Sequence, residues 1–112
     1  MKKELRIRLF IDVDGEKFFG PGRVELLQHV DETGSIAKAA KAMGMSYKKA
    51  WAMVVDLNAK GQKPYVVSHK GGQKGGGAEL TPSAKKMLAA YAKLGGQLKN
   101  LVKKNSGILK LV

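Results

Sequence analysis

The chain opens on alternation. Leu5, Ile7, Leu9, Ile11 and Val13 are apolar, with Arg6, Arg8, Phe10 and Asp12 between them. A period of two predicts a half-buried strand. Asp14-Gly15 follows, a dipeptide suited to a tight hairpin turn whose two central residues have positive φ. Glu16 to Phe19 would be the short return strand, with Phe10, Phe18 and Phe19 capping the core beside it. After Gly20-Pro21-Gly22 the spacing becomes helical. Val24, Leu27 and Val30, with Leu26 beside them, predict a first helix over about Arg23 to Glu32, closed by Gly34. Ser35 is placed to cap a second helix that buries Ile36, Ala39, Ala40 and Met43. Gly44 suits a turn with positive φ, Met45 fills the elbow, and Ser46 caps a third helix running to about Ala59. Ala50, Val54 and Leu57 are its buried stripe, with Met53 alongside.

Gly61 and Lys63-Pro64 stop that helix. Tyr65 to Lys70 reads as a strand, 71–77 as a loop with five glycines in seven residues, and Ala78 to Leu80 as the returning strand. Thr81-Pro82 starts a last helix, reaching towards Lys104. Its apolar residues Ala84, Met87, Tyr91, Leu94, Leu98 and Leu101 alternate spacings of three and four, the repeat of a coiled-coil seam. One reading is a helix packed on its own domain; the favoured one is pairing with a second copy through Met87, Tyr91, Leu94, Leu98 and Leu101. Gly95-Gly96 weakens its middle and could mark a bend or a close helix approach.

The predicted fold is therefore mainly α with a small β component. It is a winged helix-turn-helix with an N-terminal β-hairpin, a glycine-rich wing and a C-terminal dimerisation helix over 81–104. One domain spans 1–112, a length suited to a single core. No signal-peptide core or membrane-length apolar run is present, so a cytoplasmic protein without membrane attachment is the expectation.

Charge points to the partner. Lys and Arg number 21 against 9 Asp and Glu, a formal net charge of +12. Such an excess suits a polyanion, nucleic acid first. There is no cysteine, and the two histidines, His29 and His69, belong to no cluster with metal-ligand spacing. Ser35, Ser46 and Thr81 are explained as caps, and no nucleophile with a base and an orienting group is found. Neither an enzyme nor a cofactor is expected. The glycine loop is not a phosphate cradle of the P-loop kind, because Gly76 is followed by Gly77, Ala78 and a strand.

The third helix begins Ser46-Tyr47-Lys48-Lys49, with Trp51 one turn on. The lysines can neutralise phosphates, and the hydroxyl groups can donate to phosphates or base edges. Trp51 is open between a DNA contact, packing on the wing and an ordinary core aromatic. The candidate DNA contacts are Ser35, Ser46, Tyr47, Lys48, Lys49 and Trp51, with Lys70, Gly72, Lys74 and Gly75 in the wing. Double-stranded DNA and a second copy of the chain are the expected partners. Two other readings use the same features: a nucleoid-type protein that binds DNA without sequence preference, and an adaptor that holds another protein.

Gly20-Pro21-Gly22-Arg23, Leu26-Leu27, Gly34-Ser35-Ile36, Ala39-Ala40, Gly44-Met45-Ser46-Tyr47-Lys48, Ala50-Trp51, Asn58, the wing glycines through Ala78, and Leu80-Thr81 resemble the N-terminal domain of ModE-type molybdate-responsive regulators. Ala39-Ala40, Ser46 and Leu80-Thr81 are more distantly similar to the LysR-type winged helix. The resemblance implies a winged helix that dimerises through its terminal helices on a palindromic operator. Ser46, Tyr47, Lys48 and Trp51 would then lie at or near DNA, beside the wing glycines and Lys74. ModE-type regulators continue into a molybdate-binding region that the sequence to Val112 does not contain. The expectation is accordingly a regulator without an effector, one served by a separate effector-sensing chain, or a domain whose role has drifted from that of the family.

Overall fold

The structure is a computed structural model that describes residues 1–69 and 77–112. Strand β1 (Ile11–Val13) and strand β2 (Glu16–Phe19) form a hairpin. Helices α1 (Pro21–Thr33), α2 (Ile36–Ala42) and α3 (Tyr47–Lys60) follow. Then come strands β3 (Val66–His69) and β4 (Gly77–Leu80), the long helix α4 (Pro82–Lys104) and a terminal 3-10 turn, Ser106–Leu111. The fold is the expected one, mainly helical with two small antiparallel sheets, β1-β2 and β3-β4. It is a winged helix-turn-helix with an N-terminal hairpin and a C-terminal helix.

Local chemistry sets most of the boundaries. Asp14 and Gly15 have φ of +52° and +80°, as their turn demands. Pro21 occupies the first turn of α1, where its missing N–H costs nothing. Gly34, at φ +68°, closes α1 by donating its N–H to the Val30 carbonyl. Ser35, Ser46 and Thr81 each accept a backbone N–H three residues on, from Lys38, Lys49 and Ala84. Gly44, at φ +65°, makes the turn between α2 and α3.

One core unites these elements. Leu26, Leu27 and Val30 of α1 meet Ile36, Ala39 and Ala40 of α2, then Ala50, Val54 and Leu57 of α3. Phe18, Phe19, Tyr65, Val66, Leu80 and Ala84 close it from the hairpin, the wing root and the start of α4. Ala39 and Ala40 are fully buried, so two short side chains set the close approach of α2 to its neighbours.

The N-terminal strand is shorter than its alternation predicts. Pairing covers only Ile11–Val13 against Glu16–Phe19. The partner sets the limit: β2 has four residues and ends at Gly20-Pro21, where α1 begins. Residues 5–9 therefore have no return strand beside them. They line a groove of about 720 Å³ with Val24, Tyr91 and Leu98, and Tyr91 Oη donates to the Leu9 carbonyl at 2.8 Å. Phe10 also departs from expectation. It lies outside the core over Gly20, where a Cβ would stand 2.4 Å from its ring, and Lys17 Nζ sits 4.5 Å from the ring centre.

Helix α4 runs unbroken through Gly95-Gly96, and a Cβ at either would meet open space. Only Ala84 of this helix is fully buried. The molecule extends 60 × 30 × 23 Å with a radius of gyration of 17.0 Å. A compact chain of this size has a radius of about 13 Å.

Candidate nucleic-acid interface

Helix α3 has two faces of different character. Its inner stripe, Ala50, Val54 and Leu57, is buried. Its first turn and outer face carry Tyr47, Lys48, Lys49 and Trp51, all exposed. Tyr47 is 55% and Trp51 42% accessible. That settles one alternative: Trp51 is not a core aromatic. The two rings stand one helical turn apart, with centroids 6.4 Å apart and planes 17° from parallel. They form a ledge on the surface.

The ledge is one wall of a cleft of about 300 Å³. Ser35, Ile36 and Ala37 from the start of α2 line it, as do Ser68, His69 and Gly77 from the wing strands. A hydroxyl, an imidazole, a phenol and an indole thus meet where three elements converge. The Ser35 and Ser46 hydroxyls accept the Lys38 and Lys49 amides at 3.1 Å, which leaves each O–H free to donate outward. His69 Nε2 lies 3.3 Å from Glu79 Oε1 on the neighbouring strand. Lys38 and Lys41 of α2 are exposed, like Lys48 and Lys49.

Ser35, Ser46, Tyr47, Lys48, Lys49 and Trp51 are therefore all at the surface or partly open to it, at adjoining helix starts. Lys70, Gly72, Lys74 and Gly75 lie outside the described residues. Ser68 and His69 are the additions that sequence reasoning did not place in the site. No local motif marks them; they join it because the β3-β4 hairpin folds back beside α3.

Behind the outer face, polar contacts hold α3 in place. Arg23 of α1 donates to the Phe18 carbonyl at 2.7 Å and to Asp56 Oδ2 at 2.5 Å. Lys60 Nζ lies 3.1 Å from the other Asp56 oxygen and 3.3 Å from Glu16. The Arg23 hydrogen bond is the largest influence holding the Asp56 carboxyl below its ordinary value, with Lys60 adding to it against a smaller effect of burial. Lys60 is shifted up by its hydrogen bonds to Asp56 and Glu16. Burial alone pushes the Tyr65 phenol up.

The proposed pairing residues of α4 divide into groups. Met87 and Tyr91 are partly buried against the chain's own core, and the Tyr91 ring stands edge-on to Phe19 at 5.3 Å. Leu98 lines the groove under the N-terminal segment. Leu94 and Leu101 are open, at 45% and 54%.

The same residue order occurs in known proteins. The chain is 37% identical over 89 residues to the transcriptional regulator ModE of Haemophilus influenzae, covering 80% of this chain and 35% of that protein. It is 34% identical over 88 residues to the DNA-binding transcriptional dual regulator ModE of Escherichia coli, covering 79% and 34%. The chain is a homologue of the N-terminal region of ModE-type regulators. Molybdenum-pterin-binding protein MopB of Rhodobacter capsulatus is 47% identical over 72 residues, covering 64% of this chain and 27% of that protein. The ModE-like chain thus spans about a third or less of the length of these relatives. Their names denote regulators and molybdenum-pterin-binding proteins rather than enzymes. No family model matches the sequence. Among the described residues no helix is long and apolar enough to cross a membrane, and no group of three His, Cys, Asp or Glu side chains is arranged to hold a metal ion.

Proposed function

We propose that this chain is a DNA-binding transcription regulator domain that grips duplex DNA as a homodimer. In this reading the first turn of α3 enters the major groove. Lys48 and Lys49 neutralise phosphates, and Ser46 and Tyr47 donate to phosphates or base edges. Trp51 supplies an apolar surface for thymine methyls or sugar. Ser35 stands beside a neighbouring phosphate, and the wing, with Lys70, Gly72, Lys74 and Gly75, follows the backbone. The second copy would pack along the open flank of α4 at Leu94 and Leu101, adding Leu98 and the edges of Met87 and Tyr91.

The observation that supports this reading most is the outward ledge of Tyr47 and Trp51. Two large aromatic side chains are left in water, directly beside exposed lysines, on the helix that follows the turn. Burial in a core would otherwise be worth about 2 kcal/mol or more for each ring. Similarity to the transcriptional regulator ModE supports a regulatory role, and similarity to the molybdenum-pterin-binding protein MopB adds a link to molybdenum.

Duplexes selected from a random pool, then titrated by fluorescence anisotropy at several salt concentrations, test the proposal. A selected site should bind on the order of 10³-fold or more tighter than random duplex. It should contain two inverted half-sites, and affinity should fall linearly with salt on logarithmic axes. Equal affinity for all duplexes would replace the regulator with a nucleoid-type binder. Absence of any salt-sensitive binding would leave the protein adaptor.

A further inference from the structure

The last turn of α3 carries Asn58, whose carboxamide makes three hydrogen bonds to one short stretch of backbone. Its Oδ1 accepts the N–H of Tyr65 at 2.8 Å and of Val66 at 3.0 Å, and its Nδ2 donates to the Val66 carbonyl at 2.9 Å. The groups it satisfies lie at the first residue of β3 and the residue before it. The other edge of β3 pairs with β4, Val66 opposite Leu80. A side chain of the helix therefore stands in for a neighbouring strand. Only a carboxamide of this length supplies both the acceptor and the donor: aspartate lacks the N–H, serine the reach, and alanine both.

We infer that Asn58 is a positioning residue that locks the wing to α3, so that helix and hairpin meet their ligand as one rigid unit. This rests on the DNA reading only for its consequence; the lock itself is a property of the free chain. Thr81 closes the hairpin base on its far side, with its Oγ1 donating to the Pro64 carbonyl at 2.7 Å and its N–H to the Tyr65 carbonyl at 3.0 Å. Ala78 N–H donates to the Gly34 carbonyl at 2.9 Å, tying β4 to the turn before α2. These contacts hold the wing to itself and to α2. The Asn58 contacts hold it to α3. Val66, Ala78 and Leu80 also seat the wing root in the core, but packing is non-directional. Without the Asn58 bonds three backbone groups at the start of β3 lose their partner, and the spacing between wing and helix is less tightly fixed. Asn58 is eleven residues from Tyr47, roughly 16 Å along the helix, so it governs this spacing without touching the outer ledge.

Residual dipolar couplings of the free protein, comparing wild type with Asn58→Ala and Asn58→Asp, test the inference directly. In the wild type, β3-β4 and α3 should fit one alignment tensor. In the alanine variant the hairpin should need a reduced tensor of its own while α1, α2 and α3 still share one. The aspartate variant covers the case in which alanine fails to fold. At neutral pH it keeps the acceptor for the Tyr65 and Val66 amides but sets a carboxylate oxygen against the Val66 carbonyl, so the hairpin should loosen, though less than in the alanine variant. In acid its protonated carboxyl can donate to the Val66 carbonyl, so a common tensor should return, a pH response the wild type lacks.

A hairpin that keeps the α3 tensor in both variants at neutral pH overturns the lock. A double-mutant cycle on a selected duplex reads the consequence. Asn58→Ala should weaken binding about tenfold in the wild-type wing but less than about twofold when Lys70 and Lys74 are already alanine. Equal losses in both backgrounds would mean that Asn58 does not act through the wing. If the wild type binds no duplex, the DNA reading falls, and the couplings alone still decide the lock.

Discussion

Arg23, Asp56 and Lys60 show how a site is held by residues that never face it. Asp56 accepts from Arg23 on one oxygen and from Lys60 on the other, and both partners hold its carboxyl below the ordinary value of 3.8. A depressed carboxyl stabilises the fold fully above its unfolded-state value, and the contribution is lost as pH falls through the folded-state value. Asp56→Asn should therefore be destabilised relative to wild type at neutral pH, and the gap should close below pH 3.8. Urea titrations at both ends of that range check it; a gap independent of pH would rule out this role. Arg23→Ala should cost about 1–2 kcal/mol at neutral pH, because a charge-assisted bond is lost from a partly exposed site. The sequence contains all three residues but not their association, since Arg23 and Asp56 are 33 positions apart.

At the scale of elements, caps and turns decide where α3 points. Ser46 caps it and stands at the proposed DNA surface. Ser46→Ala should lower stability by about 1 kcal/mol, seen as a lower urea midpoint at unchanged m. Ser46→Asp separates the two roles. It keeps the cap and the stability but sets a carboxylate against phosphates, so duplex binding should fall sharply. Unchanged binding in that variant would place the start of α3 away from DNA. Gly44 tests the turn. Its φ of +65° has open space around it, so Gly44→Ala carries only the backbone penalty of about 1–2 kcal/mol. These features were legible beforehand because capping and positive φ are local and each leaves a residue signature. Residues 5–9 were not. Their alternation satisfies the strand rule, but a strand needs a partner, and β2 ends too soon to supply one.

For the whole molecule, elongation is the main consequence. Helix α4 spans about 34 Å, and beyond its first turns its open leucines face solvent. We expect Leu101→Glu to shift the sedimenting species from dimer to monomer without loss of helical signal. It should also weaken binding to a duplex with two half-sites far more than to a single half-site. A dimer that survives the substitution places the contact elsewhere. The net charge of +12 on each copy opposes pairing, so the dimer should gain stability with added salt even as DNA binding weakens.

Period, caps, turn glycines and charge are short-range properties, written residue by residue. The amino-acid order alone therefore determined the order of elements, the helix-turn-helix boundaries, the inner stripe of α3 and the strong positive charge. Packing decided the rest, because it depends on which distant segments come to share a surface. It put Trp51 outside, brought Ser68 and His69 alongside Tyr47, turned residues 5–9 onto α4, and made Asn58 a bridge to the wing.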